Sequence, residues 1–203
     1  GGWTLLYERS NATFNFFRDW ASYEKGFGEP GFDFWIGNSK IYVITMKGRH
    51  EVRFELLDYF DERKQPLFAV YDDFKVLSPS KDYVLQVGKF RGNLANFLEE
   101  VNNTAFSTWD RDNDKSEKAC AKRNKGAWWY GKSCFTYDLN NMVDGVEIEM
   151  KVKELFGGKC PQYSFVLRLT YRQYLFWNKL QSMNSVILSL LMIEAISICI
   201  KQG

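Results

Sequence analysis

The sequence predicts a mixed fold: an antiparallel sheet, a short helix packed on its core, and a long loop-rich lobe. Three observations carry the prediction. Apolar residues alternate along three stretches separated by polar turns, one stretch has apolar residues at helical spacing, and periodicity disappears from about residue 102 to residue 141. At 203 residues and 45% hydrophobic content, the chain is long enough for one real core without extra staples.

Taken in order, residues 3–7 read as a first strand that begins directly after the breaker pair Gly1-Gly2. Gly1 stands where a complete chain would have methionine, so the sequence reads as a fragment or a processed chain. Asn15 is placed to cap a helix whose Phe16, Phe17, Trp20 and Tyr23 share one face, and Gly26 supplies its stop. His50, in the run Lys47-Gly48-Arg49-His50-Glu51, reads as a hairpin-turn residue. Val52, Phe54 and Leu56, then Phe68, Val70 and Phe74, then Tyr83, Leu85 and Val87 give three half-buried strands of an antiparallel sheet. The following aperiodic run is rich in Asp, Asn, Lys and Trp, the kind of long loop on which binding concentrates. After Glu154 the composition shifts through Gly157-Gly158 and Pro161 into an aromatic, then aliphatic tail. Twelve of the fifteen residues 186–200 are apolar, but this is shorter than the ~20 residues a bilayer span needs and includes Glu194. No membrane anchor is expected.

Charge and histidine content exclude whole classes of function. With 27 Lys and Arg against 25 Asp and Glu, the net charge of +2 lacks the basic excess of a nucleic-acid groove. A single histidine leaves no multi-histidine metal centre and no Ser-His-Asp arrangement at a Gly-x-Ser-x-Gly turn, which disfavours hydrolase chemistry and leaves catalysis by carboxylates alone open.

Cysteine spacing speaks to the compartment. Cys120 and Cys134 enclose thirteen residues and match no C-x-x-C metal or redox pattern, which favours a disulfide. The sequons Asn11-Ala12-Thr13 and Asn102-Asn103-Thr104 lie in polar connections, and with that disulfide they point to a secreted, extracellular glycoprotein.

Asp110, Asp112 and Asp114 place carboxylates at alternate positions, suited to converge on a hard cation, with calcium the natural candidate. An EF-hand numbered from Asp110 would need glycine at Lys115 and glutamate at Ala121 and has neither, so main-chain carbonyls must complete the shell. The same spacing also suits a solvated turn in which the acids bond their own backbone. Trp128 and Trp129, inside the disulfide loop, read as core packing rather than as faces for a ligand.

Read together, the runs GGWT, NFFRDWASYEKGFG, FWIGN, FAVYDDFKV, YVLQVGKFRGN, FSTWDRDNDK, CA and GAWWYGKSC resemble the fibrinogen-related domain shared by ficolins, angiopoietins, tenascins and techylectins. The resemblance covers residues 1–153 in the family's order. It implies a secreted α+β module that is not an enzyme: a fibrinogen C-terminal-like domain with a central antiparallel sheet, short flanking helices and a loop-rich calcium and ligand lobe. The family's N-terminal subdomain, with its own disulfide, would lie upstream of Gly1 and is expected to be missing. Residues 154–203 resemble nothing in the family and form an atypical hydrophobic tail.

Carried over residue by residue, the resemblance implies calcium held by the carboxylates of Asp112 and Asp114 and the carbonyls of Ser116 and Lys118. Asp110 becomes a supporting residue, and the lobe's disulfide falls on Cys120 and Cys134. Lectin-like members hold the acetyl group of N-acetylated sugars beside the calcium loop, where a cis peptide before the second cysteine aims backbone N–H groups at it. Here that bond is Ser133–Cys134, the donors are Cys134 and Phe135, and pocket positions fall on Asn124, Met142 and Val143. Phe135 stands where lectin members usually have histidine, and Asn124 where several have tyrosine. Two apparent deletions after Asn141 shorten the family's aromatic segments before a closing strand at Glu149-Met150-Lys151-Val152.

The expected function is calcium-dependent, lectin-like recognition of acetylated carbohydrates in innate immunity, by a homo-oligomer of the full-length protein. The alternative is an angiopoietin- or tenascin-like module that binds an extracellular protein partner in receptor signalling or matrix. Loss of the pocket histidine and aromatics favours the alternative.

Overall fold

The computed structural model describes residues 2–10, 14–58, 67–134 and 146–155. Nine strands and three α-helices occur among them: β1 (Thr4–Arg9), α1 (Trp20–Lys25), β2 (Phe27–Gly28), β3 (Phe34–Trp35), α2 (Asn38–Thr45), β4 (Arg49–Asp58), β5 (Leu67–Tyr71), β6 (Lys75–Val76), β7 (Leu85–Gln86), β8 (Phe90–Gly92), α3 (Cys120–Asn124) and β9 (Val146–Leu155). Seven strands form one antiparallel sheet in the order β2-β3-β1-β9-β4-β5-β8, and β6 and β7 pair separately. The architecture is the expected α+β. The chain divides into Gly1–Gln162 and Tyr163–Gly203. The expected domain boundary after Lys153 falls inside β9, which continues to Leu155, and the rest of the tail lies outside the described residues.

The two ten-residue strands at the centre show how alternation becomes a core. Val52 lies opposite Val152, Phe54 opposite Met150 and Leu56 opposite Ile148, so the apolar residues of β4 and β9 share one face. Complete burial of such side chains is worth about 1.5–3 kcal/mol each. The other face alternates charge. Arg53 sits opposite Lys151 and Glu55 opposite Glu149, like against like, and the repulsion is resolved diagonally. Lys151 Nζ reaches Glu55 at 2.8 Å and also pairs with Glu149, and Arg53 Nε donates to Glu55 at 2.5 Å. In β1 a bulge between Leu5 and Tyr7 breaks the alternation and lets Leu6 and Tyr7 both be buried.

Several expected boundaries shift, each for a local reason. Strand β1 extends to Arg9 because Glu8 and Arg9 find partners in β9. The first helix starts at Trp20 rather than at Asn15, whose Oδ1 accepts from Phe17 N in a local turn. Asp19 is the cap, accepting from Ser22 N at 2.9 Å. Gly26 ends this helix as expected, at φ +94°, where a Cβ would stand 2.2 Å from the Ile36 carbonyl oxygen. Gly37, at φ +113°, faces Lys25 O in the same way, and the pair lets α1 and α2 back closely onto each other. The expected hairpin turn at His50 does not form: the chain turns at Gly48, at φ +72°, between α2 and β4, and His50 is a buried strand residue opposite Glu154. The strand expected over Phe68–Phe74 stops at Tyr71, and Asp73 at φ +48° turns the chain before β6. Left-handed conformations at Asp82 and Tyr83 confine the third predicted strand to Leu85 and Gln86.

Candidate functional site

An aromatic cluster supports the loop lobe. Phe106 contacts Trp20, Tyr23, Trp35 and Trp129 with ring centroids 5.0–6.2 Å apart. Trp128 and Trp129 are buried, as expected, and Trp129 Nε1 donates to Tyr83 O at 2.7 Å. Ser107 and Trp128 exchange two backbone hydrogen bonds, joining the stem of the acidic loop to the strand-like run that leads to Cys134.

The loop itself is a succession of short turns. Thr108 and Arg111 exchange backbone hydrogen bonds, and Asn113 is anchored twice, its N donating to Ser107 Oγ and its Nδ2 to Phe106 O. Asp114 N donates to Asp112 Oδ1, Ser116 N to Asp114 Oδ1, and Lys118 N to Ser116 Oγ. The other Asp114 oxygen accepts from Cys120 N at 2.8 Å. Burial first, then the neighbouring Asp112 carboxylate, holds the Asp114 carboxyl above its ordinary range. Among the described residues neither acid forms an ion pair with a cationic side chain, and no group of three or more His, Cys, Asp or Glu that could hold a metal gathers, at this loop or elsewhere. Two converging carboxylates without a counter-charge fit a hard divalent cation whose remaining ligands are carbonyls.

The disulfide is part of the same unit. Cys120 and Cys134 are bonded with Cα atoms 5.0 Å apart, and Cys134 Sγ lies 3.5 Å from both Ser116 Oγ and Lys118 O. Asn124, at the end of α3, donates from Nδ2 to Cys134 O at 2.8 Å. Asp110 stands apart from the acid pair, its Oδ1 accepting from Trp20 N and Thr108 Oγ1.

The structure therefore brings Asp114, Ser116 and Lys118 to the disulfide, with Asp112 joined to Asp114 N and Asn124 behind Cys134. It does not bear out the cis bond: no cis peptide occurs among the described residues, Ser133–Cys134 included. A non-proline bond takes the trans form unless its surroundings over-determine the alternative, which is about 3–4 kcal/mol higher. Phe135, Met142, Val143 and the expected deletions lie outside the described residues, as does Asn11. Asn102 is described, and its amide serves the fold: Oδ1 accepts from Val87 N and Nδ2 donates to Val87 O, each at 3.1 Å.

Beside the loop opens a groove of about 320 Å³, lined by Glu100, Thr104, Lys115, Lys132 and Ser133 among others. Sequence reasoning did not find it. Its charged residues come from separate turns with no common spacing, and their meeting depends on the Ser107–Trp128 pairing. No helix among the described residues is long and apolar enough to cross a membrane.

A lobe of loops, stapled by a disulfide and mounted on an antiparallel sheet, is the build of a recognition module. Residues 1–164 match the family of the C-terminal globular domain of fibrinogen beta and gamma chains, and the chain belongs to it. Ryncolin-4 of Cerberus rynchops is 41% identical over 143 residues, which make up 70% of this chain and 40% of that relative. The chain thus spans less than half the length of this curated relative. Among solved structures, the fibrinogen-like globe domain of human ANGPTL6 has a TM-score of 0.67 at 28% identity, covering 77% of this chain and 79% of its own. Lamprey fibrin D-dimer, complexed with the peptide Gly-His-Arg-Pro-amide, has a TM-score of 0.64 at 26% identity, covering 81% of this chain and 66% of its own.

Proposed function

We propose that this domain is a secreted, calcium-dependent recognition module that binds acetylated carbohydrates in innate immunity, without catalysis of its own. The observation that carries the reading is the Asp112–Asp114 pair, two carboxylates without a cationic partner among the described residues, tied through Cys120 N to the disulfide. A bound calcium ion would supply the positive charge the pair lacks and would hold the loop in one shape. Asp112 and Asp114 would ligate it through carboxylates, and Ser116 and Lys118 through main-chain oxygens. The residues themselves do the rest. Asn124 fixes the Cys134 carbonyl, and the disulfide keeps the 116–118 turn against the 131–134 run. The disulfide also supports an oxidising, extracellular setting, as do the sequons at Asn11 and Asn102.

Retention on N-acetylglucosamine resin in calcium, with release by a chelator or by free acetylated sugar, is the expected result. Failure of folded, disulfide-bonded protein to bind the resin would reject the glycan reading. Because single sites of this kind are weak, a homo-oligomer of the full-length protein belongs to the same proposal.

A second reading, a protein-binding module of angiopoietin or tenascin type, is favoured by the solved lamprey relative, whose ligand is a peptide. Phe135 in place of the usual pocket histidine favours it too. Under this reading the groove carrying Lys115, Lys132 and Glu100 contacts a protein surface, and resin retention is absent while calcium stabilisation persists.

A further inference from the structure

We infer that Asp110 is a positioning residue that locks the stem of the calcium loop to helix α1, so that cation uptake and the ordering of residues 17–20 are one linked event. The inference rests on the calcium reading above and adds to it a residue that acts without touching the ion.

Three consecutive residues immediately before Asp112 each reach the same distant segment. The Trp109 ring lies 6.0 Å from the Phe17 ring, centroid to centroid. Asp110 Oδ1 accepts from Trp20 N at 3.0 Å and from Thr108 Oγ1 at 2.7 Å. The Arg111 guanidinium stacks 4.1 Å above the Trp20 ring while its Nη2 donates to Asp82 at 2.5 Å. Trp20 opens helix α1, and its N–H is one of the orphan donors of a helix start. The helix's own cap, Asp19, is engaged with Ser22, so Asp110 supplies the acceptor that Trp20 uses. The Trp20 ring in turn packs on Tyr83 and Phe106, which ties this clamp to the aromatic core.

The chemistry of the clamp is acceptance, not charge. One oxygen takes two hydrogen bonds, and the amide oxygen of asparagine can take the same two. A ligand carboxylate is different, because replacing it by an amide removes the negative charge that neutralises the ion. The two roles therefore separate on substitution. Fixing the direction in which the chain enters Asp112 also limits how far the two ligand carboxylates can spread, and such preorganisation carries into affinity.

The test is calcium titration by calorimetry on the wild type, Asp110→Asn, Asp110→Ala and Asp112→Asn, with amide exchange followed in the peptides covering 14–25 and 109–120. Asp110→Ala should weaken calcium binding about 10- to 100-fold, the range for a residue that orients a metal ligand. Asp110→Asn should bind as the wild type does, and Asp112→Asn should lose binding. In the wild type calcium should slow exchange in both peptides; in Asp110→Ala it should slow only the loop. Wild-type affinity in Asp110→Ala, or equal weakening in Asp110→Asn and Asp110→Ala, overturns the clamp while leaving the calcium reading standing. No calcium uptake by the wild type brings down both. Should Asp110→Ala fail to fold, the wild-type exchange comparison decides alone: no calcium effect on 14–25 overturns the inference.

Discussion

Asp112 and Asp114 work against each other when no cation lies between them, and under the proposed calcium reading they would act together. Asp114 is held above its ordinary carboxylate range by burial and by the Asp112 charge, so removing that charge relieves the metal-free fold. Asp112→Asn should therefore leave the metal-free protein at least as stable as the wild type, yet abolish the rise in melting temperature that the calcium reading expects of the wild type. Thermal unfolding with and without calcium checks this, and an unchanged calcium response would reject Asp112 as a ligand. His50 gives a second test. Burial lowers its pKa, with Glu154 opposing, so the folded ring favours the neutral form while the unfolded chain takes up a proton near pH ~6.5. The unfolded state then binds more protons below that point, and stability should fall as the pH drops below about 6.5 until the folded-state value is passed. As the only histidine, its ring can be titrated directly by NMR, and a folded-state value at or above the ordinary one would contradict this account. At this scale the acid pair was legible in alternate spacing, while His50 was not. Nothing near it in sequence announces β9, whose Glu154 lies opposite and completes its burial.

The loop, the disulfide and α3 form one element, since Asp114 holds Cys120 N and the 116–118 turn lies on Cys134 Sγ. Replacing both cysteines with serine should cost about 3 kcal/mol for a closed loop of this size, read as a lower denaturation midpoint in urea. Under the proposed calcium reading it should also weaken calcium uptake, because the turn proposed to offer two carbonyl ligands loses its support. A double variant that unfolds at the wild-type midpoint would show the bond to be incidental. Elements with long, regular alternation, β4 above all, were readable from sequence because burial on one face imposes period two. Two-residue strands such as β2 and β3 have too little length to show a period. The sequence pattern starts α1 too early, at Asn15, because the cap that forms is Asp19, where Asp110 from a distant loop engages the next residue.

Across the whole molecule the sheet and the loop lobe share one aromatic core, with Phe106 at its crossing. Phe106→Ala removes ring contacts to Trp20, Tyr23, Trp35 and Trp129 together, and should cost about 3–5 kcal/mol in chemical denaturation. A loss confined to the loop, with the sheet melting as before, would mean the two parts are separate. The family was legible because its motifs are short local runs; the groove was not, because it is made by distant turns meeting. The position of β9 carries a further consequence. It is the last described strand in sequence, yet it lies in the middle of the sheet, between β1 and β4. A nascent polypeptide emerging from the ribosome must wait, with the facing edges of β1 and β4 unpaired, until Leu155 has been made. During that interval two open strand edges offer unpaired backbone groups to neighbouring molecules, the kind of exposure that favours aggregation.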